Sequence, residues 1–162
     1  IYQHSDVKIT NLYKATTLPT VSGVTKKIFL SRKFASCRKI TNESELINLA
    51  SKAGFKCYFM EELTVLEQIN LFKDASHIIS IHGAGLVNMV HCTQKVRVLE
   101  LYSQYYHDPS MRMLAVCLGY KYDYIIGETH NTKNISAQQE DVYFNPKKFD
   151  EALCIALNLM EK

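Results

Sequence analysis

The chain has 162 residues, enough for one domain with a full core and too few for two. Its 47% hydrophobic and 22% charged residues exclude a disordered or collagen-like chain. A net charge of +3, without a run of like charge, is too mild to argue for a nucleic-acid or membrane partner but suits a local anion site, and no window approaches the apolar length of a spanning helix.

The chain opens Ile1-Tyr2-Gln3-His4, with neither Met nor a signal-peptide pattern, so it is expected to be an internal piece of a longer protein. Residues 1–25 carry Thr16-Thr17-Leu18-Pro19-Thr20 and Ser22-Gly23 with weak periodicity and read as an arm or linker. A domain is predicted over 26–162. Its first strand is Ile28-Phe29-Leu30, feeding a polar loop at Ser31-Arg32. Asn42 or Thr41 then caps a helix with Leu46, Leu49, Ala50 and Ala53 at helical spacing, and Gly54 stops it. A second strand covers residues 55–60. Thr64 opens the next helix, with Glu67 three residues on as a capping box.

Residues 77–82 form a third strand, Gly83-Ala84-Gly85 a tight turn, and residues 86–90 a helix start. Residues 96–101 are a fourth strand, 111–118 a short helix closed by Gly119, and 121–126 a fifth strand. A polar segment over 128–139 leads to an amphipathic helix over 147–160. Strands apolar on both faces, alternating with helices, predict an α/β fold: a doubly wound, mostly parallel Rossmann-like sheet with helices on both faces. Such sheets bind ligands beyond the carboxyl ends of their strands, so chemistry is sought in the strand-to-helix loops.

Three loops qualify. The first, Ile81-His82-Gly83-Ala84-Gly85-Leu86-Val87-Asn88, turns through two glycines into a helix start whose free N–H groups suit a phosphate. His82 could donate to a phosphate oxygen or act as acid or base, and Asn88 could bond a sugar hydroxyl. A turn serving only helix–sheet packing is the bland alternative. The second loop, Ser31-Arg32-Lys33 through Arg38-Lys39, sets four cations and two serines at a strand end, the groups a diphosphate requires. A solvated basic loop is its alternative. The third feature is Glu61-Glu62 after the second strand, with Glu100 in the fourth. A carboxylate there could accept sugar hydroxyls or serve as a base, and Glu100 between Leu99 and Leu101 needs a partner.

Tyr102, Tyr105 and Tyr106 follow the fourth strand, where a ring could stack on a base or fill the sheet's rim. No metal site is expected, because His77 and His82 lie on opposite faces of a strand. Nor does the adjacent pair His91/Cys92 look like a nucleophile and its base. The five cysteines are odd in number, lack C-x-x-C spacing, and read as unpaired, three of them as small core residues. Asn42-Glu43-Ser44 and Asn134-Ile135-Ser136 are glycosylation sequons.

The ordered set of loops resembles glycosyltransferase family 61. The likeness runs from Phe29-Leu30-Ser31-Arg32 and Arg38-Lys39-Ile40-x-Asn42-Glu43-x-Glu45-Leu46 through Gly54-Phe55, Glu62-Leu63-Thr64, Glu67-Gln68-Ile69 and Phe72-x-x-Ala75. It closes with His82-Gly83-Ala84-Gly85-Leu86-x-Asn88 and Val98-Leu99-Glu100-Leu101, covering roughly residues 26–102. The family includes protein O-linked N-acetylglucosaminyltransferases, plant xylosyltransferases and bacterial capsular-polysaccharide or lipopolysaccharide enzymes.

The resemblance implies a GT-B-type, inverting, metal-independent transfer from a UDP-sugar to a glycan or protein hydroxyl, with no cofactor besides the donor. Ser31 and Arg32 would face the diphosphate, with Arg38 in support. The turn of His82, Gly83, Ala84, Gly85 and Leu86 would hold the nucleotide-sugar, with Asn88 just beyond and Glu100 among the binding groups. Glu62 would sit near the reaction centre, and His82 and Glu62 are the candidate catalytic residues. Family members carry an acceptor-binding domain before this one, so the chain is expected to be the donor half of a two-domain enzyme and inactive alone. A non-catalytic nucleotide-binding module is the alternative. The cytosol is the expected location, peripheral membrane attachment included, and the sequons keep an ER or Golgi lumen open.

Overall fold

The computed structural model of the chain describes residues 25–129 and 136–157. The arm expected over 1–25, except its last residue, and Asn134 of the second sequon lie outside them. Five strands form one sheet: β1 (Lys26–Ser31), β2 (Lys56–Phe59), β3 (Ala75–Ile81), β4 (Arg97–Tyr102) and β5 (Lys121–Ile126). Their order is β2-β1-β3-β4-β5 and every neighbouring pair is parallel. Helices α1 (Glu43–Lys52), α2 (Val65–Lys73), α3 (Ser110–Cys117) and α4 (Pro146–Ala156) cover it, with 3-10 turns at Met60–Glu62 and Ala84–His91.

Strand alternation divides the core in two. Phe29, Ile79, Ile81, Leu99 and Leu101 pack against Leu46 and Ala50 of α1 and Phe149 and Leu153 of α4. Ile28, Leu30, Ile78 and Val98 pack against Leu71 and Phe72 of α2, Leu86 and Met89, and Ala115 of α3. The connection running one way along the sheet, β1 to β2, lays its helix on the first face. Those running the other way lay theirs on the second, as crossovers of a single hand require.

Thr64 caps α2 in a full capping box with Glu67, as its spacing predicts. Asn42 occupies the N-cap position of α1 but makes no capping bond. Its amide instead donates to the Phe144 carbonyl at 2.8 Å and accepts from the Phe144 N–H at 3.2 Å. A two-bond match to an extended backbone outcompetes the single bond a cap offers.

Three further readings are corrected. The helix expected from Leu86 is an eight-residue 3-10 turn that starts at Ala84. The polar segment after β5 begins with a strand, β6 (Glu128–Thr129), that pairs antiparallel with β7 (Val142–Tyr143) just beyond the segment's end, because Val142 and Phe144 are drawn into the first core, and Val142 also bridges to Ile40. Finally, no described cysteine is fully buried: Cys57 and Cys92 pack half-buried against the two cores, Cys37 and Cys154 are half-buried, and Cys117 is exposed.

Gly127 is where this segment turns over the core. A Cβ there would stand 2.7 Å from the Tyr143 carbonyl oxygen and 2.5 Å from a Val142 methyl. Backbone cannot move aside as a side-chain tip can, so Gly127→Ala is expected to destabilise by about 1–3 kcal/mol, read as a lower urea midpoint with unchanged slope.

Candidate functional site

In the order β2-β1-β3-β4-β5 the chain leaves β1 and β3 in opposite directions, and the gap between their carboxyl ends is the switch point where doubly wound sheets take ligands. The loop after β1 and the turn after β3 meet there. A Cβ on Gly83 would stand 2.8 Å from Arg32 Nη1, so the missing side chain is what lets the guanidinium lie against the turn. Among the described residues the Arg32 guanidinium makes one hydrogen bond, from Nη2 to the Cys37 carbonyl at 3.3 Å, and its buried Nε has no partner.

Arg38 closes the site from the same loop. It holds a left-handed φ of +57°, uncommon for a residue with a side chain and frequent at functional sites. Its Nη1 donates to the His82 carbonyl at 2.7 Å, its Nε to the Gln138 carbonyl at 2.8 Å, and the guanidinium lies 4.9 Å from the centre of the Tyr106 ring. Burial, and then the neighbouring Arg32, hold Arg38 below its ordinary pKa. Two cations brought close enough to disfavour each other make a place prepared for an anion.

Below the turn, His82 is 6% exposed and its Nδ1 lies 2.7 Å from Glu100 Oε1. Glu100 has no exposed surface. Its Oε2 accepts from the hydroxyls of Tyr102, at 3.0 Å, and of Tyr122. Burial raises the Tyr102 hydroxyl to about 12, and Tyr122 is raised as well, by burial and then by its bond to Glu100, so both remain protonated donors. The imidazole stacks on Tyr102 at 5.5 Å and meets the edge of Tyr106 at 5.3 Å.

The other expected residues are placed as follows. Ser31 is buried, donates to Glu43 Oε2 at 2.8 Å and accepts from the Lys33 N–H at 3.0 Å, so its hydroxyl builds the loop. The Leu86 side chain belongs to the core, and its N–H bonds the Gly83 carbonyl. Ala84 is exposed at the helix start. Gly85 backs onto Met60 and Leu30. Asn88 donates to the Gln68 side chain and the Gly85 carbonyl, both at 3.2 Å. Glu62 is exposed on the rim, in the turn that Met60 begins. Both Glu100 oxygens are occupied by protein groups.

Two residues escaped the sequence reading. Glu43, 9% exposed, accepts from Ser31 Oγ and from the Arg32 N–H at 3.1 Å, tying the start of α1 to the arginine loop. Its signal was an acidic residue in the first turn of a helix next to that loop. Tyr122 was signalled by the parallel register, in which β5 runs alongside β4 and sets Tyr124 opposite Glu100 with Tyr122 on the same face. Among the described residues no three His, Cys, Asp or Glu side chains could hold a metal ion together, and no described helix is long and apolar enough to cross a membrane.

Residues 2–99 match the protein family described as Glycosyltransferase 61. Over 85 residues the chain is 28% identical to a beta-1,2-xylosyltransferase of Oryza sativa subsp. japonica, a stretch that is 48% of this chain and 16% of that protein. The chain thus spans a minor part of the relative's length. The family match includes Arg32, Arg38 and the whole turn from His82 to Asn88.

Proposed function

The chain belongs to the glycosyltransferase 61 family, and on that premise we propose that it is the donor-binding half of an inverting, metal-independent, GT-B-type glycosyltransferase. The observation that carries this is the meeting of Arg32 with Gly83, and of Arg38 with the His82 carbonyl, at the switch point of the sheet. A nucleotide-sugar diphosphate lies in that gap, its oxygens on Arg32, on the outer face of Arg38 and on the N–H groups that begin the turn at Ala84. As the sugar–phosphate bond breaks, negative charge grows on the leaving diphosphate. Two guanidiniums and oriented N–H groups stabilise it without a metal ion.

The donor is a UDP-sugar, and the acceptor is a hydroxyl of a glycan or protein. The named activity of the rice relative supports a pentose such as xylose, and N-acetylglucosamine fits the same resemblance. Acceptor binding and closure of the cleft come from a further domain, so the chain alone binds donor without turnover. Asn88 and Glu62 lie near the sugar, where a modest shift of either side chain lets it reach a hydroxyl.

Calorimetric titration with UDP, UDP-N-acetylglucosamine, GDP and CMP, without metal and then with EDTA, tests the reading. Binding of UDP and its sugar that survives EDTA is expected. If no nucleotide binds, the switch-point gap is not a donor site in this chain. If full-length protein binds UDP-sugar and transfers nothing, the chain is a nucleotide-binding module.

A further inference from the structure

His82 stands where β3 gives way to the glycine turn, its backbone carbonyl held by Arg38 and its ring held by Glu100. Which ring nitrogen carries the proton decides what it can do. With Nε2–H it donates to a phosphate oxygen. With Nδ1–H and a free Nε2 lone pair it cannot, and instead accepts a proton from a hydroxyl.

The buried groups around Glu100 decide between the two. Oε2 accepts from two phenols that burial keeps protonated. Each phenol has one proton, which Tyr122 shares between Oε2 and the Tyr102 oxygen at 3.0 Å and Tyr102 between Oε2 and the Asp108 carbonyl at 2.9 Å, so both phenolic protons are used within the cluster. Phenolic donors on Oε2 match a carboxylate that acts as acceptor only. The proton of the 2.7 Å contact then sits on the imidazole Nδ1, which donates to Oε1. Nε2, across the ring, points away from Glu100, and no described residue bonds it.

We propose that Glu100, Tyr102 and Tyr122 are positioning residues that fix His82 as its Nδ1–H tautomer, making Nε2 the base that receives the acceptor hydroxyl's proton. In that step the acceptor oxygen bonds the anomeric carbon and its proton passes to Nε2. The bond from that carbon to the diphosphate breaks, and its electron pair leaves with the diphosphate. The resulting imidazolium sits against the Glu100 carboxylate. The hydroxyl's identity rests on the glycosyltransferase reading; the tautomer does not.

The test is nitrogen NMR on the full chain with 15N-labelled histidine in mildly alkaline buffer, His82 being assigned by difference against His82→Gln. The expected wild-type signature is protonated Nδ1 and bare Nε2. In Glu100→Gln the amide places its carbonyl toward the two phenols and its NH2 toward Nδ1, so the signature is expected to invert to Nε2–H, as loss of the anionic partner does in other histidine–carboxylate pairs. Tyr122→Phe, a milder change, is expected to yield a mixture of tautomers.

Nε2–H in the wild type overturns the proposal, whether or not Glu100→Gln folds. So does a folded Glu100→Gln and Tyr122→Phe pair that both keep the wild-type signature. UDP titrated into the same samples separates the two readings. The expected tautomer without UDP binding leaves the positioning intact and removes the donor site, whereas UDP binding with the wrong tautomer does the reverse.

Discussion

Arg32→Ala is expected to weaken UDP binding by about 10- to 100-fold, the loss of a hydrogen-bonded charge pair worth about 1.5–3 kcal/mol. Calorimetric titration of the variant measures it. The melting temperature is expected to stay level or rise. In the free protein Arg32 contributes one long bond to the Cys37 carbonyl, leaves Nε without a partner, and disfavours its neighbour Arg38. A residue that costs stability in the free state and acts only with ligand present is the pattern of a functional group. Arg32→Lys restores the charge without the planar fork and is expected to recover part of the affinity. Gly83→Ala displaces only the tip of the flexible Arg32 side chain and is expected to fall between the wild type and Arg32→Ala. Unchanged affinity in Arg32→Ala would falsify the assignment of this guanidinium to the diphosphate.

Arg38 behaves differently, although both arginines read alike in the sequence. It stitches three segments together, bonding the His82 and Gln138 carbonyls and lying over Tyr106. Its loss is expected to lower stability and UDP affinity together, so the two cannot be separated at that position.

What was legible in the chain follows from the range of the interactions involved. The five strands were readable because Ile28 to Leu30, Ile78 to Ile81 and Val98 to Leu101 are apolar on consecutive positions, which a sheet covered on both faces demands. The meeting of the two loops followed from topology alone. The β6–β7 pair was not readable. Two-residue strands in a polar stretch carry no periodicity, and only the burial of Val142 and Phe144 explains them. The same holds for Asn42, whose rival partner lies 102 residues away.

The polar groups were read one at a time, and the structure joins them in pairs. Glu100 as a lone carboxylate in an apolar strand called for a partner, and the sequence offered the donor's hydroxyls. Parallel register supplies Tyr122 from β5 and His82 from the end of β3. Ser31 looked like a phosphate donor until α1 brought Glu43 to its hydroxyl. In both cases a residue expected to touch ligand instead holds the one proposed to do so.

That division of labour gives Glu43 the larger consequence for the fold. Glu43→Ala would leave the buried Ser31 hydroxyl and the Arg32 N–H without their shared acceptor. Two bonds to a charged group at about 1.5–3 kcal/mol each put the loss at about 3–6 kcal/mol. For a domain of this size the melting temperature is expected to drop by on the order of 10 °C in calorimetry. Glu43→Gln keeps an acceptor for the Arg32 N–H and is expected to lose about half as much, while the exposed helical Glu151→Ala stays within about 0.5 kcal/mol of the wild type. UDP affinity is expected to fall with Glu43→Ala even well below its melting point, because the backbone that aims Arg32 is no longer held. A loss of stability with full UDP affinity would make Glu43 an ordinary structural residue and free the arginine loop from α1.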